Sequence, residues 1–292
     1  MSRRFLSLAA SAFYRIGYKL HHKIFLRPQP QLHTPVVIVG SYLVGGAGKT
    51  PFTLWLAEQF LEQNKKIAVL CHCAAWDEFI LLQQELQDFP NATIIATKNR
   101  YATAKKIQNK FDIILCDDGF EDSRFTGATR YCLDWEEPPT SWTKLWPAGM
   151  FRSLKQDHDE NDVIHLRCCS DIQFSIDSIT NYKQGSSITA TIICGIGNPE
   201  RFSEDIRTFG KVSGTNIHIE KILARPDHDK HFPQIIEAEL ALGKDIIISQ
   251  KDACRLPQTL LAQPKLHIAI QRTNVSECAQ RMIKARLRGH DD

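Results

Sequence analysis

The stretch that most constrains the fold is "VVIVGSYLVGGAGKTPFTLWLAEQFL", residues 36–61. A short apolar run reads as a buried strand. A glycine-rich loop follows, and then a helix-period pattern that opens with Lys-Thr. In such a loop, successive main-chain N–H groups and a helix N-terminus surround a phosphate. The Lys reaches the terminal phosphate and the Thr hydroxyl serves Mg2+. Gly45, Gly46, Ala47, Gly48, Lys49 and Thr50 supply that set. The common form has a further glycine five positions before Gly48, where Leu43 stands here. A bare strand–helix turn would not require Lys-Thr.

The rest of the chain alternates in the same manner. "KIAVLC", "ATIIAT" and "DIILCDD" read as strands, and "DEFILLQQELQ" and "YATAKKIQNK" as helices between them. Strands alternating with helices argue for a parallel sheet covered on both faces, here a P-loop NTPase-like α/β fold. Asp117 and Asp118 end the strand "DIILC", at the edge where open α/β sheets bind ligands, and are candidate Mg2+ holders with Thr50. Residues 135–160, rich in Pro and Trp, read as a linker or functional loop. A second set, "ITATIICGIGNPERF", "NIHIEKIL", "FPQIIEAELALG", "DIIISQKD" and "LHIAI", predicts a smaller second α/β domain. The expected division is residues 1–30 as a basic helix, 31–150 as the nucleotide-binding domain, with a core open to part of the C-terminal region, and 151–292 as the second domain, the break between the two α/β units falling near 150–185.

Charge matters mainly by position. The formal net charge of +3 is too small to indicate nucleic acid, yet residues 1–27 hold Arg3, Arg4, Arg15, Lys19, Lys23 and Arg27 with no acid. Phe5, Leu8, Ala9, Ala12, Phe13, Ile16 and Leu20 fall on one face of a helix drawn through this region. Its uncharged run is too short to span a bilayer. A basic amphipathic helix on an anionic membrane surface is one reading, and packing on the following domain is another. Nine cysteines, an odd number scattered through strands and helices, fit a reducing compartment. Cys71-His72-Cys73 has no second ligand pair at zinc-site spacing.

Taken in order, "SYLVGGAGKTP", "DDGF", "WPAGMFR", "GIGNPERF", "RPDHDKHF" and "SQKDACRL" resemble the tetraacyldisaccharide 4'-kinase family of the lipid A pathway over about residues 35–256. The resemblance implies ATP- and Mg2+-dependent phosphorylation of the 4'-hydroxyl of an acylated glucosamine disaccharide 1-phosphate. It further implies two α/β domains around a cleft, at the cytoplasmic face of the bacterial inner membrane. By motif, the family's catalytic Asp falls on Asp77 in "WDEF", its loop His on His228, and a phosphate-neutralising Arg on Arg152. Departures fall mainly on the acceptor side. "DDGFQH" has become "DDGFED", which places Glu121 and Asp122 where an amide and an imidazole stand, and "GDEP" has lost its Gly and Pro to Trp76 and Phe79. A relative that binds nucleotide or lipid without efficient transfer is one rival. A ParA-like ATPase is the other, although it would carry Lys where Val44 stands.

Overall fold

The computed structural model describes residues 3–158, 163–182, 187–227 and 229–288. The chain divides into two units, residues 1–173 with 275–292, and residues 174–274.

The first unit begins with helix α1 (Arg3–Phe25). It then alternates β1 (Val36–Gly40), α2 (Lys49–Leu61), β2 (Ile67–His72), α3 (Trp76–Glu85), β3 (Ala92–Thr97), α4 (Arg100–Ile107) and β4 (Ile113–Cys116), followed by β5 (Thr129–Asp134) and β6 (Val163–Arg167). The six strands form one parallel sheet in the order β3-β2-β4-β1-β5-β6. Parallel neighbours need crossovers, and α2, α3 and α4 supply them. Every residue of β1 is buried, so both alternations of the strand are covered, as a helix-sandwiched sheet requires. On one face Val36, Ile38, Leu70 and Ile114 pack with Tyr101 and Ala104 of α4. Gly40 is dictated by proximity: a Cβ there would lie 2.1 Å from Cβ of Phe120.

Two features set the boundary later than residue 150. β6 pairs with β5, with Cys132 opposite His165. The intervening segment folds back on this unit, where Leu145, Phe151 and Leu154 join Tyr42 and Phe120 in one apolar cluster. The stretch with the two readings of linker or functional loop is therefore part of the first unit. So is the final helix, a part of the C-terminal region that the first unit takes in.

The second unit contains β7 (Ile172–Ile179, its first residues in unit one), β8 (Ser187–Cys194), α5 (Pro199–Val212), β9 (Asn216–Ala224), α6 (Phe232–Ala241), β10 (Asp245–Ser249), α7 (Gln250–Ala253), α8 (Gln258–Leu261) and β11 (Leu266–Val275). Helix α9 (Glu277–Arg288) follows, within the first unit. The sheet order is β7-β11-β10-β8-β9, and β8 to β11 run parallel. Phe202 and Ile206 of α5 cover one face and Phe232 and Ile236 of α6 the other. Asn198 caps α5 by accepting the Arg201 N–H at 3.0 Å, with Pro199 in the first turn. Asp252 of the "SQKD" stretch is fully buried and accepts the Gly195 N–H at 3.1 Å and the Ser249 hydroxyl at 2.6 Å. That bond ties the glycine turn after β8 to the end of β10.

Candidate active site

The register of β1 against β4 sets Ile38 beside Cys116, so the glycine loop and the Asp117-Asp118 pair emerge at the same sheet edge. Gly46 and Gly48 adopt φ of 70° and 83°, the left-handed region that glycine enters without steric cost. Gly48 caps α2 in that conformation, which leaves the helix N-terminus and its N–H groups at the loop. The loop is held from outside as well. The Trp135 indole N–H donates to the Ala47 carbonyl at 3.1 Å, and the Val44 N–H to the Met150 carbonyl at 2.9 Å.

Lys49 and Thr50 begin α2 and are both buried. The Thr50 hydroxyl donates to Asp117 Oδ2 at 3.0 Å, and Thr53, one turn later on the same face, donates to Oδ1 at 2.8 Å. Lys49 Nζ lies 3.5 Å from Asp118 Oδ1, and Arg152 Nη1 lies 3.0 Å from the same oxygen. Arg152 also donates through Nε to the Leu43 carbonyl at 3.0 Å and through Nη2 to the Val44 carbonyl at 2.8 Å. It therefore clamps the entry of the glycine loop while pairing with Asp118, which gives the fork geometry of Arg a use that Lys could not fill. Asp118 itself has φ 51°, a region that short polar residues tolerate better than most.

The two carboxylates titrate oppositely. Burial pushes Asp117 up, the charge of Glu78 adds to this, and the result is about 7 despite its hydroxyl donors. Burial also raises Asp118, but Lys49, Arg152 and Arg100 outweigh it and bring the group down to about 2. One carboxylate is a firm anion among cations, and the other is poised near neutrality. Thr50, Asp117 and Asp118 offer only oxygen donors, the set that suits a hard cation such as Mg2+.

A raised acid destabilises the fold as it ionises. Asp117 therefore weakens folding progressively between roughly pH 4, its unfolded value, and about pH 7, its folded one. Asp117→Asn removes that dependence. Melting temperatures without nucleotide or divalent cation should move in favour of the variant from pH 5 to pH 8, relative to the native chain. Parallel pH curves would contradict this.

Asp77 is buried in the first turn of α3, where its Oδ1 accepts the Glu78 N–H at 3.1 Å. Trp76 and Phe79, which replace the motif's Gly and Pro, pack their rings together with centroids 5.1 Å apart. Glu78 was absent from the sequence reading, although its charge bears on Asp117. Thr53 and Arg100 were missed too. Arg100 donates to the Asp117 carbonyl at 2.8 Å. Only Thr53 had a signal, its three-residue spacing from Thr50. His228 lies outside the described residues.

The substituted "ED" pair has partners within the unit. Glu121 accepts from the Tyr18 hydroxyl and, at 2.7 Å, from the Ser153 hydroxyl; His22 and His158 lie 3.9 and 3.7 Å away. Asp122 forms a two-pronged pair with Arg124, both contacts 2.7 Å. Tyr18 and His22 belong to α1, which docks through its polar side. The Ser11 hydroxyl donates to the Leu145 carbonyl at 2.9 Å, Tyr14 donates to the Arg152 carbonyl at 2.8 Å, and Arg15 pairs with Asp157. The apolar side faces outward, with Phe13 74%, Ile16 64% and Leu20 56% exposed.

The sequence matches the family described as tetraacyldisaccharide-1-P 4'-kinase over residues 3–72 and 74–288. Its relatives include the tetraacyldisaccharide 4'-kinases of Chlamydia trachomatis, 27% identical over 81% of this chain and 76% of that one, and Haemophilus influenzae, 25% identical over 81% and 79%. That of Chlamydia caviae is 25% identical over 80% of this chain and 76% of its own. Among solved structures, LpxK from Aquifex aeolicus in complex with ATP superposes with a TM-score of 0.63 at 18% identity, covering 98% of this chain and 99% of that one, and so shares its fold. With a family match spanning nearly the whole sequence, the chain belongs to the tetraacyldisaccharide-1-P 4'-kinase family.

Proposed function

We propose that this chain transfers the γ-phosphoryl group of ATP to the 4'-hydroxyl of an acylated glucosamine disaccharide 1-phosphate, a lipid A precursor, with Mg2+ as cofactor. The observation that carries this reading is the built phosphate site. Lys49 and Arg152 converge on Asp118, and Thr50 on Asp117, at the mouth of a glycine loop in a chain of this family. The loop N–H groups and Lys49 hold the nucleotide phosphates, and Arg152 fixes the loop and adds positive charge where negative charge accumulates. Thr50, Asp117 and Asp118 would hold Mg2+, which supplies charge neutralisation on the phosphates when bound. Asp77 takes the proton of the attacking hydroxyl, and His228 positions or tunes that carboxylate, the roles their motifs imply. A ParA-like switch is disfavoured by Val44 in place of the expected Lys. Incubation with ATP and Mg2+ separates the two. ADP release should depend on the disaccharide acceptor, whereas equal release without it would favour a plain ATPase.

The same reading places the chain peripherally at the cytoplasmic face of the inner membrane, through α1. No described helix is long and apolar enough to cross a membrane. The polar side of α1 is already occupied, so its exposed apolar side and flanking basic residues are what remain for an anionic bilayer. Phe13→Glu with Ile16→Glu alters only exposed positions and should leave folding nearly unchanged. Burying each of two such side chains is worth about 1.5–3 kcal/mol, so sedimentation with anionic vesicles should weaken more than about tenfold. Undiminished binding would mean that α1 is only structural.

A further inference from the structure

We propose that Cys132, Asp134 and His165 form a site for one soft divalent cation of the zinc class, separate from the phosphate loop. The backbone alone brings these residues together. Cys132 and Asp134 lie two apart on β5 and so share a face of the sheet. The parallel register sets His165 of the edge strand β6 directly beside Cys132, on that same face. The Cys132 sulfur lies 3.2 Å from Asp134 Oδ1, and His165 Nδ1 lies 2.5 Å from Asp134 Oδ2. One ligand atom from each of the three lies within 4.8 Å of the others. Zinc bonds of 2.0–2.3 Å in tetrahedral geometry separate ligand atoms by roughly 3.3–3.6 Å, so shifts of less than about 1 Å complete the arrangement.

The chemistry of the set and its surroundings agree. Thiolate, imidazole and carboxylate together favour zinc over Mg2+, which seeks oxygens alone. Cys132 forms the floor, fully buried in the apolar cluster with Phe120, Leu145 and Phe151. Asp134 and His165 are partly exposed above it and line a cavity of about 580 Å3 that Cys168 and Cys169 also line. The Cys168 N–H donates to the Asp134 carbonyl at 2.8 Å, which fixes this cysteine pair at the rim. The cavity thus offers an entry path and room for water as the fourth ligand. Binding would release the Cys132 thiol proton, so affinity rises with pH. Trp135, the next residue after Asp134, bonds the Ala47 carbonyl, so the site borders the glycine loop through one peptide.

The competing account is an Asp134–His165 hydrogen bond beside a bystander thiol. Titration of the chelator-treated full chain with Co2+, in excess Mg2+, decides between them. The native chain should bind one equivalent and show a thiolate-to-cobalt charge-transfer band. Cys132→Ser should lose the band. His165→Ala, at a partly exposed edge-strand position that preserves the fold, should keep it but bind at least about tenfold more weakly, since even partners behind the ligands are worth 10–100-fold. Nucleotide binding and melting temperature of His165→Ala check its integrity. Absence of the band in the native chain, its persistence in Cys132→Ser, or undiminished affinity in His165→Ala would each overturn the proposal.

Discussion

Replacement of Lys49 by alanine should lower kcat/KM for transfer on the order of 10²-fold or more, the usual cost of removing one preorganised charge contact at a site of developing charge. Lys49 is buried beside the glycine loop with its ammonium 3.5 Å from Asp118. Its loss leaves Asp118 paired with Arg152 at 3.0 Å, so the carboxylate is not orphaned and the fold should persist. The defect should therefore appear in turnover with a nearly unchanged melting temperature. Turnover close to that of the native chain would remove the loop from the reaction.

The second large effect concerns the proposed proton acceptor. Asp77→Asn keeps the size of the side chain and removes its capacity to take a proton, and general-base loss commonly costs 10²–10⁴-fold. If His228 acts through Asp77, the His228→Ala defect should largely vanish in the Asp77→Asn background, since residues acting as a unit are not additive. Nucleotide affinity should survive in both variants and in the pair, because the proposed phosphate cradle of Gly48, Lys49 and Thr50 includes neither residue. A double-mutant cycle with transfer and nucleotide affinity measured separately checks this. Fully additive losses would show independent roles, and unchanged transfer in Asp77→Asn would exclude it as the base.

The parts of the fold legible in the sequence were those built from local pattern. β1, β2, β3 and β4 are short, uncharged and mainly apolar runs, and the glycine loop announces both its strand and its helix. Asp117 was readable because it ends such a run. β5 and β6 were not, because "TRYCLD" and "VIHLR" carry charge inside the strand. Arg130 is buried there with its guanidinium donating to the Phe125 carbonyl at 2.7 Å and the Asp122 carbonyl at 3.3 Å, contacts made by the fold and invisible in the strand itself. Without β6 the sequence narrows the break no further than 150–185, since β6 is what holds the later segment to the first sheet.

The candidate site divides along the same line. Thr50 facing Asp117 is a consequence of one loop and one strand end. Arg152 clamping the loop at Val44, and Glu121 accepting from Tyr18, join positions 108 and 103 apart. No local pattern encodes such pairs. Only motif resemblance had pointed to Arg152, and nothing had pointed to Tyr18. The helix α1 was drawn correctly as amphipathic, but its docking by the polar side depends on acceptors that the rest of the unit supplies. Glu121 looked like damage to an acceptor motif. In the structure it anchors that helix.

The most direct test of the central claim is identification of the product. The purified chain, incubated with ATP, Mg2+ and an acylated glucosamine disaccharide 1-phosphate, should add one phosphate to the acceptor by mass spectrometry. Phosphorus-31 and proton NMR should place a new phosphomonoester on the 4' position, with one ADP formed per product molecule. Phosphate at another position, or ADP formed without a phosphorylated acceptor, would contradict the account.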